Sequence, residues 1–433
     1  MRRLFLTLAL LSLPFLSFGQ AWTIDDCVEY ALVHNPEILH RQFQYETQKE
    51  VLGETAVSRV PVIGVGVQET LHAGNTLLMY SVDENLTMSL TQLAATLEMP
   101  LLSGGRIPNT KNAELYTLKA SAENIAVAKM NVRIRVAAAY LQLLSDLSQE
   151  RIAREQVGLC QAQIAHVEKM VAEGRRTNAD LAESKSALSA AELSQTAARG
   201  KAVMSRIELV NLIGLDDESG FGIVELEEKV EDTAPVPVIP LLDDLEHHPA
   251  ILSAKYGMTS AEYRVKAAQG AYYPQLSLFA NYNNYFVLPI GYPDIHIGSH
   301  PDKTGWGALG VKLSVPILNL TTNRKVSKAK VELEDARVTL DESRKEISRQ
   351  FREAYYRTLT ARDRYTSAVK AESAAQEAYD YQKKMYDVGR STTLELNQSR
   401  MKWFSAGEEV VRAKYEYLLR NRILGYYSNY AEE

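Results

Sequence analysis

The sequence of 433 residues carries a formal net charge of −6, and 46% of its residues are hydrophobic. This acidic balance argues against nucleic acid as a partner, because binding to nucleic acid rewards basic surfaces. The two cysteines, Cys27 and Cys160, are too few for a disulfide framework, and we expect two small buried thiols rather than a bridge.

The first 19 residues have the features of a secretory signal peptide. An apolar run follows Arg2 and Arg3, and the small residues Ser17 and Gly19 fit cleavage before Gln20. The run is too short for a membrane-spanning helix, and no later segment is apolar over the length that such a helix needs. We therefore expect a mature chain that leaves the cytoplasm.

Several short stretches recur, in the same order, about 215 residues further along the chain. In chain order the pairs are NPEIL and HPAIL, LEMPLL and LSVPIL, EGRRTNADL and VGRSTTLEL, and NLIGL and RILGY. Landmarks in so consistent an order indicate an internal two-fold repeat. We predict a first structural repeat at 20–215, an acidic and proline-rich linker at 216–241, and a second structural repeat at 242–433.

Each copy is predicted to contain a short helix (25–58 and 242–270), two strands, a very long helix, a tight turn and a returning helix. Apolar residues recur every seven positions along the long helices. The series are Leu118, Ile125, Val132 and Ala139, then Leu333, Leu340, Ile347, Ala354, Ala361 and Ala368, and in the last helix Leu396, Trp403, Val410, Tyr417 and Leu424. Sustained sevens favour coiled-coil packing. A proline-free helix from Asn109 to Glu173 would be roughly 100 Å long, too long for a compact domain.

The four strand-like runs, each of about ten residues, alternate apolar side chains with small or polar ones. This alternation suits both a membrane strand and a half-buried strand of a soluble sandwich. Long polar or aromatic connections at 72–85 and 284–305 favour an outer-membrane barrel with long external loops. Because four strands cannot close a barrel, several copies must share one, and three copies would provide twelve strands.

The opening TIDDCVEYALVHNPEIL, the stretch PLLSGGR at 100–106, the duplicated layout and the two Gly-x-x-Thr turns together resemble the TolC-like outer-membrane efflux proteins. The resemblance covers essentially the whole mature chain. It implies a mixed α and β membrane protein, a homotrimer with a twelve-stranded transmembrane β-barrel in the outer membrane of a Gram-negative bacterium. A long periplasmic α-helical coiled-coil barrel would continue it. A periplasmic adaptor protein and an inner-membrane pump are the implied partners, and no cofactor is expected.

The two Gly-x-x-Thr turns would form the tips of helical hairpins. The glycines are expected to end a helix in the left-handed conformation, and the threonines to cap the returning helices together with an acid three residues later. The candidate adaptor-docking residues at the tips are Gly174, Arg175, Thr177, Asp180, Gly389 and Thr392. The candidate residues of the periplasmic aperture and its gate are Tyr386, Asp387, Arg390 and Glu395, whose acids would favour cations. The candidate residues of the barrel lumen are Gln68, Thr96, Glu98, Asn281 and Lys312.

Besides Glu173, which precedes the first tip glycine where a valine is common, the sequence departs from the family pattern at two places. The second copy has ILNLTTNRK where the first has LLSGGR, so its strand-to-helix hinge lacks the glycines. Arg175 and Arg390 stand in the tip turns where a leucine often lies in family members that dock the best-known adaptors, which leaves the identity of the adaptor open.

No zinc-protease, P-loop or nucleophile-elbow motif is present, so we predict no enzyme activity and no metal site. His247 and His248 are interpreted as capping and solvent-exposed residues, and His296 and His300 as loop residues with at most opportunistic metal contact. The predicted function is a passive exit duct of a tripartite export system, gated at the helical tips and carrying small molecules or secreted polypeptides. The alternatives are a type I protein-secretion duct and a soluble periplasmic coiled-coil structural or adaptor protein.

Overall fold

The computed structural model describes residues 21–78, 81–215, 221–225, 244–290 and 304–428. The predicted signal peptide, most of the predicted linker and the predicted loop residues 291–303 lie outside these ranges. Within the ranges, no helix combines the length and the apolar composition that crossing a membrane requires.

The chain divides into two compact units. The first consists of Met1–Gln42, Asn124–Pro249 and Arg344–Glu433, and the second of Phe43–Glu123 and Ala250–Ser343. Each unit takes segments from both halves of the chain, so the units do not coincide with the predicted repeats at 20–215 and 242–433.

The elements follow one another in the predicted order in both halves of the chain. The helices are α1 (Ile24–His34), α2 (Pro36–Val57), α3 (Arg106–Ala172), α4 (Asn178–Ile213), α5 (Pro249–Gln269), α6 (Leu320–Asp387) and α7 (Thr393–Ser428). The strands are β1 (Ala21–Trp22), β2 (Val62–Leu78), β3 (Ser81–Ser103), β4 (Gly222–Ile223), β5 (Gln275–Ile290) and β6 (Trp306–Ser314). Short 3-10 turns at Asp244–His247 and Gly270–Tyr272 flank α5.

The prediction of a single helix at 25–58 is wrong, because the helix is interrupted at Asn35, between α1 and α2. Asn35 is extended, with ψ of 126°, since the ring of Pro36 disfavours helical backbone in the residue before it. The Asn35 side chain then accepts a hydrogen bond from the Glu37 amide and caps α2. At the other end, Thr23 and Asp26 form a capping box that starts α1.

The larger sheet is antiparallel in the order β2-β3-β5-β6 and lies in the second unit. Three of its strands exceed the predicted ten residues: β2 has 17, β3 has 23 and β5 has 16, whereas β6 has nine. The prediction of a long loop at 72–85 is wrong, because backbone pairing continues from His72 opposite Met88 to Leu78 opposite Ser81. Ladder hydrogen bonds satisfy the backbone whatever the side chains are, so polar residues there do not end the strands.

The register sorts the strand side chains by face. Directly opposed residues of an antiparallel pair share a face, and neighbours along a strand alternate. One face carries the apolar series Ile63, Val65 and Val67 on β2, Leu93, Ala95 and Leu97 on β3, and Leu309, Val311 and Leu313 on β6. The apolar side chains of β2 and β6 on this face are largely exposed in the protomer. The other face carries the small and polar residues, as the alternation predicts.

The main hydrophobic core of the first unit gathers α1, α3, α4 and α7. Tyr140 is fully buried in it, and its hydroxyl shares one hydrogen between the carbonyl oxygens of Trp22 and Val224, at 2.9 and 2.7 Å. These contacts tie α3 to the small parallel sheet of β1 and β4. Cys27 in this core and Cys160 further along α3 are buried free thiols, which confirms the prediction. Burial raises the pKa of Cys27 to about 12.

The heptad series predicts burial along the long helices. In α6, Leu340, Ile347, Ala354, Ala361 and Ala368 are all buried, and in α7 Leu396, Tyr417 and Leu424 are buried. In α3 the same holds for Val132 and Ala139. The helices α3 and α6 have 67 and 68 residues, about as long as predicted. The seven-residue seam therefore faces neighbouring helices, as in coiled-coil packing.

Candidate functional site

The two hairpin tips end their helices in the same way. Gly174 and Gly389 have φ of 71° and 78°, in the left-handed region that favours glycine. The amide of Arg175 then donates to the carbonyl of Met170, and the amide of Arg390 to that of Met385, each at 2.8 Å. These bonds are the closing contacts of a helix C-terminus and confirm the predicted role of the glycines.

The returning helices begin with the predicted caps. The Asp180 amide donates to Thr177 Oγ1 and the Thr177 amide to the Asp180 carboxylate, at 3.2 and 3.1 Å. In the same way, the Glu395 amide donates to Thr392 Oγ1 at 3.2 Å, and the Thr392 amide donates to the Glu395 carboxylate at 2.9 Å. The backbone N–H of Thr392 and the hydroxyl of Ser391 donate to the Glu395 carboxylate and lower its pKa. Both acids are therefore ionised and committed to helix starts.

A set of contacts that the sequence did not suggest joins the two tips within the first unit. Arg176 Nη2 donates to the carbonyl oxygens of Tyr386 and Ser391, at 3.2 and 3.1 Å. The Arg176 guanidinium also lies 4.2 Å above the centroid of the Tyr386 ring. We call these contacts, together with the bond described next, the tip brace.

The second half of the tip brace joins Asp180 to Thr393. Thr393 Oγ1 donates to Asp180 Oδ1 at 2.6 Å, and this bond is the largest cause of the lowered pKa of Asp180. Asp180 thus uses one carboxylate oxygen for its own helix cap and the other for the opposite hairpin. The brace therefore depends on the same residue that starts α4.

Beneath the tip brace, the two hairpins share a small apolar core. Val167, Tyr386 and Leu396 are buried together, with Val171, Leu181 and Tyr379 packed against them. Tyr386 is 1% exposed, so its ring belongs to the core of the tip rather than to its surface. Parting the tips would expose this core together with the brace.

The other predicted gate residues are not gathered around Tyr386. Asp387 lies 3.9 Å from His166 Nε2 of α3, and both side chains are about half exposed. The side chain of Arg390 makes no hydrogen bond within the part of the chain that the structure describes. Among the described residues of one protomer, the ring of Tyr386 faces Arg176 and the carboxylate of Asp387 faces His166, and neither contacts the Arg390 side chain. Arg175 is exposed and pairs with Glu173 at 3.5 Å.

A buried polar layer lies about one helical turn beyond the apolar tip core. Arg400 is 3% exposed, and its Nη2 donates to Asn397 Oδ1 at 2.7 Å. Arg400 Nε and Asn397 Nδ2 are buried without an acceptor among the described residues. Burial raises the pKa of Cys160 on α3 and of Tyr379 on α6, and the nearby charge of Arg400 opposes both shifts, so this layer spans three helices. The sequence did not indicate that Arg400 would be buried, because it lies among other charged residues of a predicted helix.

The five predicted lumen residues fall on one face of the large sheet, opposite to the exposed apolar series. Thr96 stands between Gly64 and Asn281 in the register, and Glu98 between Val62 and Phe279. Gln68 lies opposite Gln92, and Lys312 lies opposite Ser277. The structure therefore brings these residues to a common surface in the second unit.

The histidine predictions have different outcomes. His248 is fully buried and stacks on Tyr427 with ring centroids 6.2 Å apart, so the prediction of a solvent-exposed residue is wrong for it. Burial lowers its pKa to about 4, because a low-polarity site disfavours the charged ring. His247 ends the preceding 3-10 turn and is exposed. His296 and His300 lie outside the described residues, and among those described no group of acids, cysteines and histidines is arranged to hold a metal ion.

Comparisons with known proteins give consistent matches. The model of the family described as "Outer membrane efflux protein" matches residues 28–215 and 243–424. The chain is 23% identical over 342 residues to the outer membrane efflux protein BepC of Brucella suis, covering 76% of this chain and 70% of BepC. It is 22% identical over 317 residues to the alkaline protease secretion protein AprF of Pseudomonas aeruginosa, covering 72% of this chain and 64% of AprF.

Among solved structures, the Campylobacter jejuni CmeC outer membrane channel superposes with a TM-score of 0.78 at 18% identity. The superposition covers 94% of this chain and 85% of the CmeC chain. At this low sequence identity, the superposition shows that the two chains share a fold and nothing further.

Proposed function

The chain belongs to the outer membrane efflux protein family, and from that premise we propose that it is the exit duct of a tripartite export system. It is a protein of the outer membrane of a Gram-negative bacterium. In this proposal three copies form the duct, which conducts cargo passively and has no catalytic residues. A periplasmic adaptor and an inner-membrane pump supply the cargo and the energy.

The observation that carries the proposal is the construction of the large sheet. It has an exposed apolar face, a polar face and two outer strands, β2 and β6, that have no further partner strand among the described residues. In lipid, unpaired strand edges cost several kcal/mol for each backbone group, so the sheet needs further copies to close it. Three copies supply twelve strands, enough for a barrel whose polar face, with Gln68, Thr96, Glu98, Asn281 and Lys312, lines a water-filled lumen.

The gate in this proposal is the tip brace. Its contacts between Arg176 and Tyr386, and between Asp180 and Thr393, hold the two hairpins of one protomer together. Separating the hairpins would break hydrogen bonds to charged groups, each worth roughly 1.5–3 kcal/mol when well formed. In this proposal the resting state is closed, and opening requires binding energy from a partner.

The exposed tip residues are the proposed contacts for that partner. Arg175 and Arg390 project from equivalent positions of the two turns, next to Gly174 and Gly389. Thr177, Asp180 and Thr392 start the helices beside them and fix the geometry of the turns. Glu395 and Asp387 are the proposed acids of the aperture, where a three-fold ring of carboxylates would favour cations.

The cargo is proposed only as a class. The relatives' names include efflux for BepC and protease secretion for AprF, so both small molecules and polypeptides are candidates. A type I protein-secretion duct is the second candidate function, which the match to AprF favours. A soluble periplasmic coiled-coil protein is the third, and the exposed apolar sheet face argues against it.

The test is single-channel recording of the purified protein in planar bilayers. Arg176→Gln should raise the open probability at least several-fold, because it removes the guanidinium from Tyr386 and Ser391. The matched control is Arg175→Gln, which removes an exposed arginine one position earlier and should leave gating unchanged. Absence of conductance from every variant would contradict the duct, whereas equal effects of the two substitutions would contradict only the brace as gate.

A further inference from the structure

The segment that joins β6 to α6 exposes apolar side chains. The strand ends at Ser314, which pairs with Gln275, and the helix begins at Leu320. Between them, Ile317 and Leu318 are the two most exposed large apolar side chains in the part of the chain that the structure describes. Clustered apolar side chains at a surface indicate that a membrane or another molecule covers them.

This segment continues the apolar face of the large sheet. The neighbouring apolar residues of β6, Leu309, Val311 and Leu313, are exposed as well. The chain advances at most about 3.6 Å per residue, so Ile317 and Leu318 lie within about 15 Å of the last strand residue. A medium that covers the apolar side of β6 is therefore within reach of both side chains.

The first three turns of α6 carry positive charge and no acid. The basic residues of these turns, all exposed, are Arg324, Lys325, Lys328 and Lys330. Lys328 pairs with the first acid of the helix, Glu332, at 3.6 Å. Neither Arg324 nor Lys325 has a carboxylate partner among the described residues. Helix stability does not explain these charges, because a cation near a helix N-terminus opposes the helix dipole.

Apolar and basic side chains share the exposed face of this helix start. The buried side of α6 is formed here by Thr322, Val326 and Ala329. Leu320 and Arg324 are four residues apart, so they lie one above the other on the opposite side. The helix therefore presents an apolar residue next to the strand and a cation one turn further on.

Two exposed tyrosines stand at the same end of the sheet. Tyr272 and Tyr273 precede β5, and the Tyr272 hydroxyl donates to Asn323 Oδ1 in the first turn of α6 at 2.6 Å. Tyrosine is enriched where membrane meets water, because its ring is apolar and its hydroxyl is polar. This observation is independent of the aliphatic and the basic residues, and it indicates the same surroundings.

We propose that the stretch from Ile317 to Lys325, which we call the interfacial segment, binds the periplasmic leaflet of the outer membrane. Ile317, Leu318 and Leu320 enter the apolar edge of that leaflet, and Arg324 and Lys325 bind the phosphate groups of anionic phospholipids. Burial of apolar side chains and attraction between cations and anionic lipids together hold such a segment at a membrane surface. The stretch ILNLTTNRK, which replaces the glycine hinge of the first copy, thereby gains a role. The inference rests on the proposed function, since it requires the sheet to lie in the outer membrane.

The first experiment measures which medium surrounds Leu318. The single variants Leu318→Cys, Val311→Cys and Val338→Cys are made in the full chain with Cys27 and Cys160 replaced by alanine, and each is labelled with bimane. Val311 lies on the apolar face of β6, and Val338 is exposed on the same face of α6 about five turns from its start. The purified proteins are reconstituted into vesicles of phosphatidylethanolamine and phosphatidylglycerol that contain lipid with a nitroxide on the acyl chain near the headgroup. We expect quenching at Leu318→Cys to be at least about threefold that at Val338→Cys, because nitroxide quenches only at short range.

The outcomes separate this inference from the proposed function. Quenching at Val311→Cys without quenching at Leu318→Cys would overturn the interfacial segment and leave the duct intact. In that case, protection of the Leu318→Cys label from iodide would identify a neighbouring copy as its cover, and quenching by iodide would identify water. Absence of lipid quenching at Val311→Cys would contradict the membrane location of the sheet and with it the duct.

The second experiment tests the phosphate contact. The double variant Arg324→Gln with Lys325→Gln is compared with Lys383→Gln with Lys384→Gln, an exposed basic pair near the other end of α6. Phosphatidylglycerol is added to each protein in neutral detergent, and the rise of the thermal unfolding midpoint is measured relative to phosphatidylcholine. We expect the rise seen in wild type to fall by at least half in the first double variant and to stay unchanged in the second.

Two results would overturn the phosphate contact. One is no rise in wild type, and the other is an equal rise in wild type and both double variants. Glycerol phosphate carries the same phosphate without acyl chains and should give no rise. A rise as large as that with phosphatidylglycerol would show a site for soluble phosphate and overturn lipid as the occupant.

Discussion

At the residue scale, three side chains have roles that their sequence context conceals. Arg176 follows a similar arginine, yet only its guanidinium turns inward onto Tyr386. Arg400 lies in a charged helix, yet it is buried with Asn397 as its hydrogen-bond acceptor. His248 belongs to a His-His pair, yet it is enclosed beside Tyr427. In each case a neighbouring helix determines whether the side chain is buried, because burial of a polar side chain depends on which elements pack around it.

His248 predicts a loss of stability in mild acid. Its folded pKa of about 4 lies below the usual value of 6.5, so between these values the unfolded chain binds a proton that the folded chain does not. The contribution of neutral His248 to the free energy of unfolding is complete above about pH 6.5. It decreases by about 3 kcal/mol as the pH falls from about 6.5 to about 4, and it does not change further below that. Thermal unfolding midpoints measured across this range should be less pH-dependent in His248→Phe, which keeps an aromatic ring against Tyr427. Replacement of the exposed His247 by Gln should leave the wild-type dependence; equal profiles for His248→Phe and wild type would contradict the prediction.

Arg400 and Asn397 predict a non-additive pair of substitutions. Asn397→Leu alone should lower stability by about 1–3 kcal/mol, because it leaves the buried guanidinium without its acceptor. The double variant Asn397→Leu with Arg400→Met should be at least as stable as wild type, since apolar groups of similar size often replace buried polar pairs without loss. The stabilities of wild type, Asn397→Leu and the double variant are compared by their unfolding midpoints, measured by circular dichroism in detergent. A double variant no more stable than Asn397→Leu would refute the prediction.

At the element scale, the junctions between strands and long helices differ between the two halves of the chain. After β3, Gly104 and Gly105 have φ of 57° and 81° and turn the chain into α3. Gly104 also touches the backbone of Gly270 at the end of α5: a Cβ at Gly104 would lie 2.2 Å from the Gly270 carbonyl oxygen. After β6 the chain reaches α6 without glycine, and its apolar residues Ile317 and Leu318 are 95% and 82% exposed. Gly104 is thus required because its backbone lies directly against that of Gly270.

Gly104→Ala and Gly105→Ala form a matched pair. Both place an L-residue in left-handed backbone, which costs about 1–2 kcal/mol. At Gly105 the added Cβ would meet only the flexible Asn109 side chain, at 3.4 Å, so this variant should fold with a lower melting temperature. Gly104→Ala adds a clash with backbone and should be largely lost from the folded outer-membrane fraction. The amounts recovered there measure the difference, and equal recovery of the two variants would show that the close approach is unimportant.

At the scale of the whole molecule, the proposed aperture predicts an ion preference. A ring of three Glu395 carboxylates would attract cations, and Glu395→Gln should shift the reversal potential in a salt gradient towards zero. Glutamine also serves at the third position of a helix in a capping box, so the tip should stay folded. Glu173→Gln removes an exposed acid from the other turn and is the control. An unchanged reversal potential in Glu395→Gln would exclude that residue from the aperture.

The sequence by itself determined the elements whose signals are local or periodic. The seven-residue seam predicted the long buried helix faces, the Gly-x-x-Thr turns predicted the left-handed ends and capping boxes, and two-residue alternation predicted which strand residues share a face. These features depend on neighbours along the chain, and a single sequence contains them completely.

Only the tertiary structure decided what depends on distant neighbours. The length of β2 and β3 is set by backbone pairing that continues through polar residues. The alternation of apolar and polar side chains in the sequence does not show where this pairing ends. The tip brace joins positions about 210 residues apart, and the choice of Arg176 over Arg175 rests on the packing of two hairpins. The buried states of His248 and Arg400 have the same origin. Contacts between elements far apart in the chain set these features, because each side chain's surroundings are supplied by another part of the molecule.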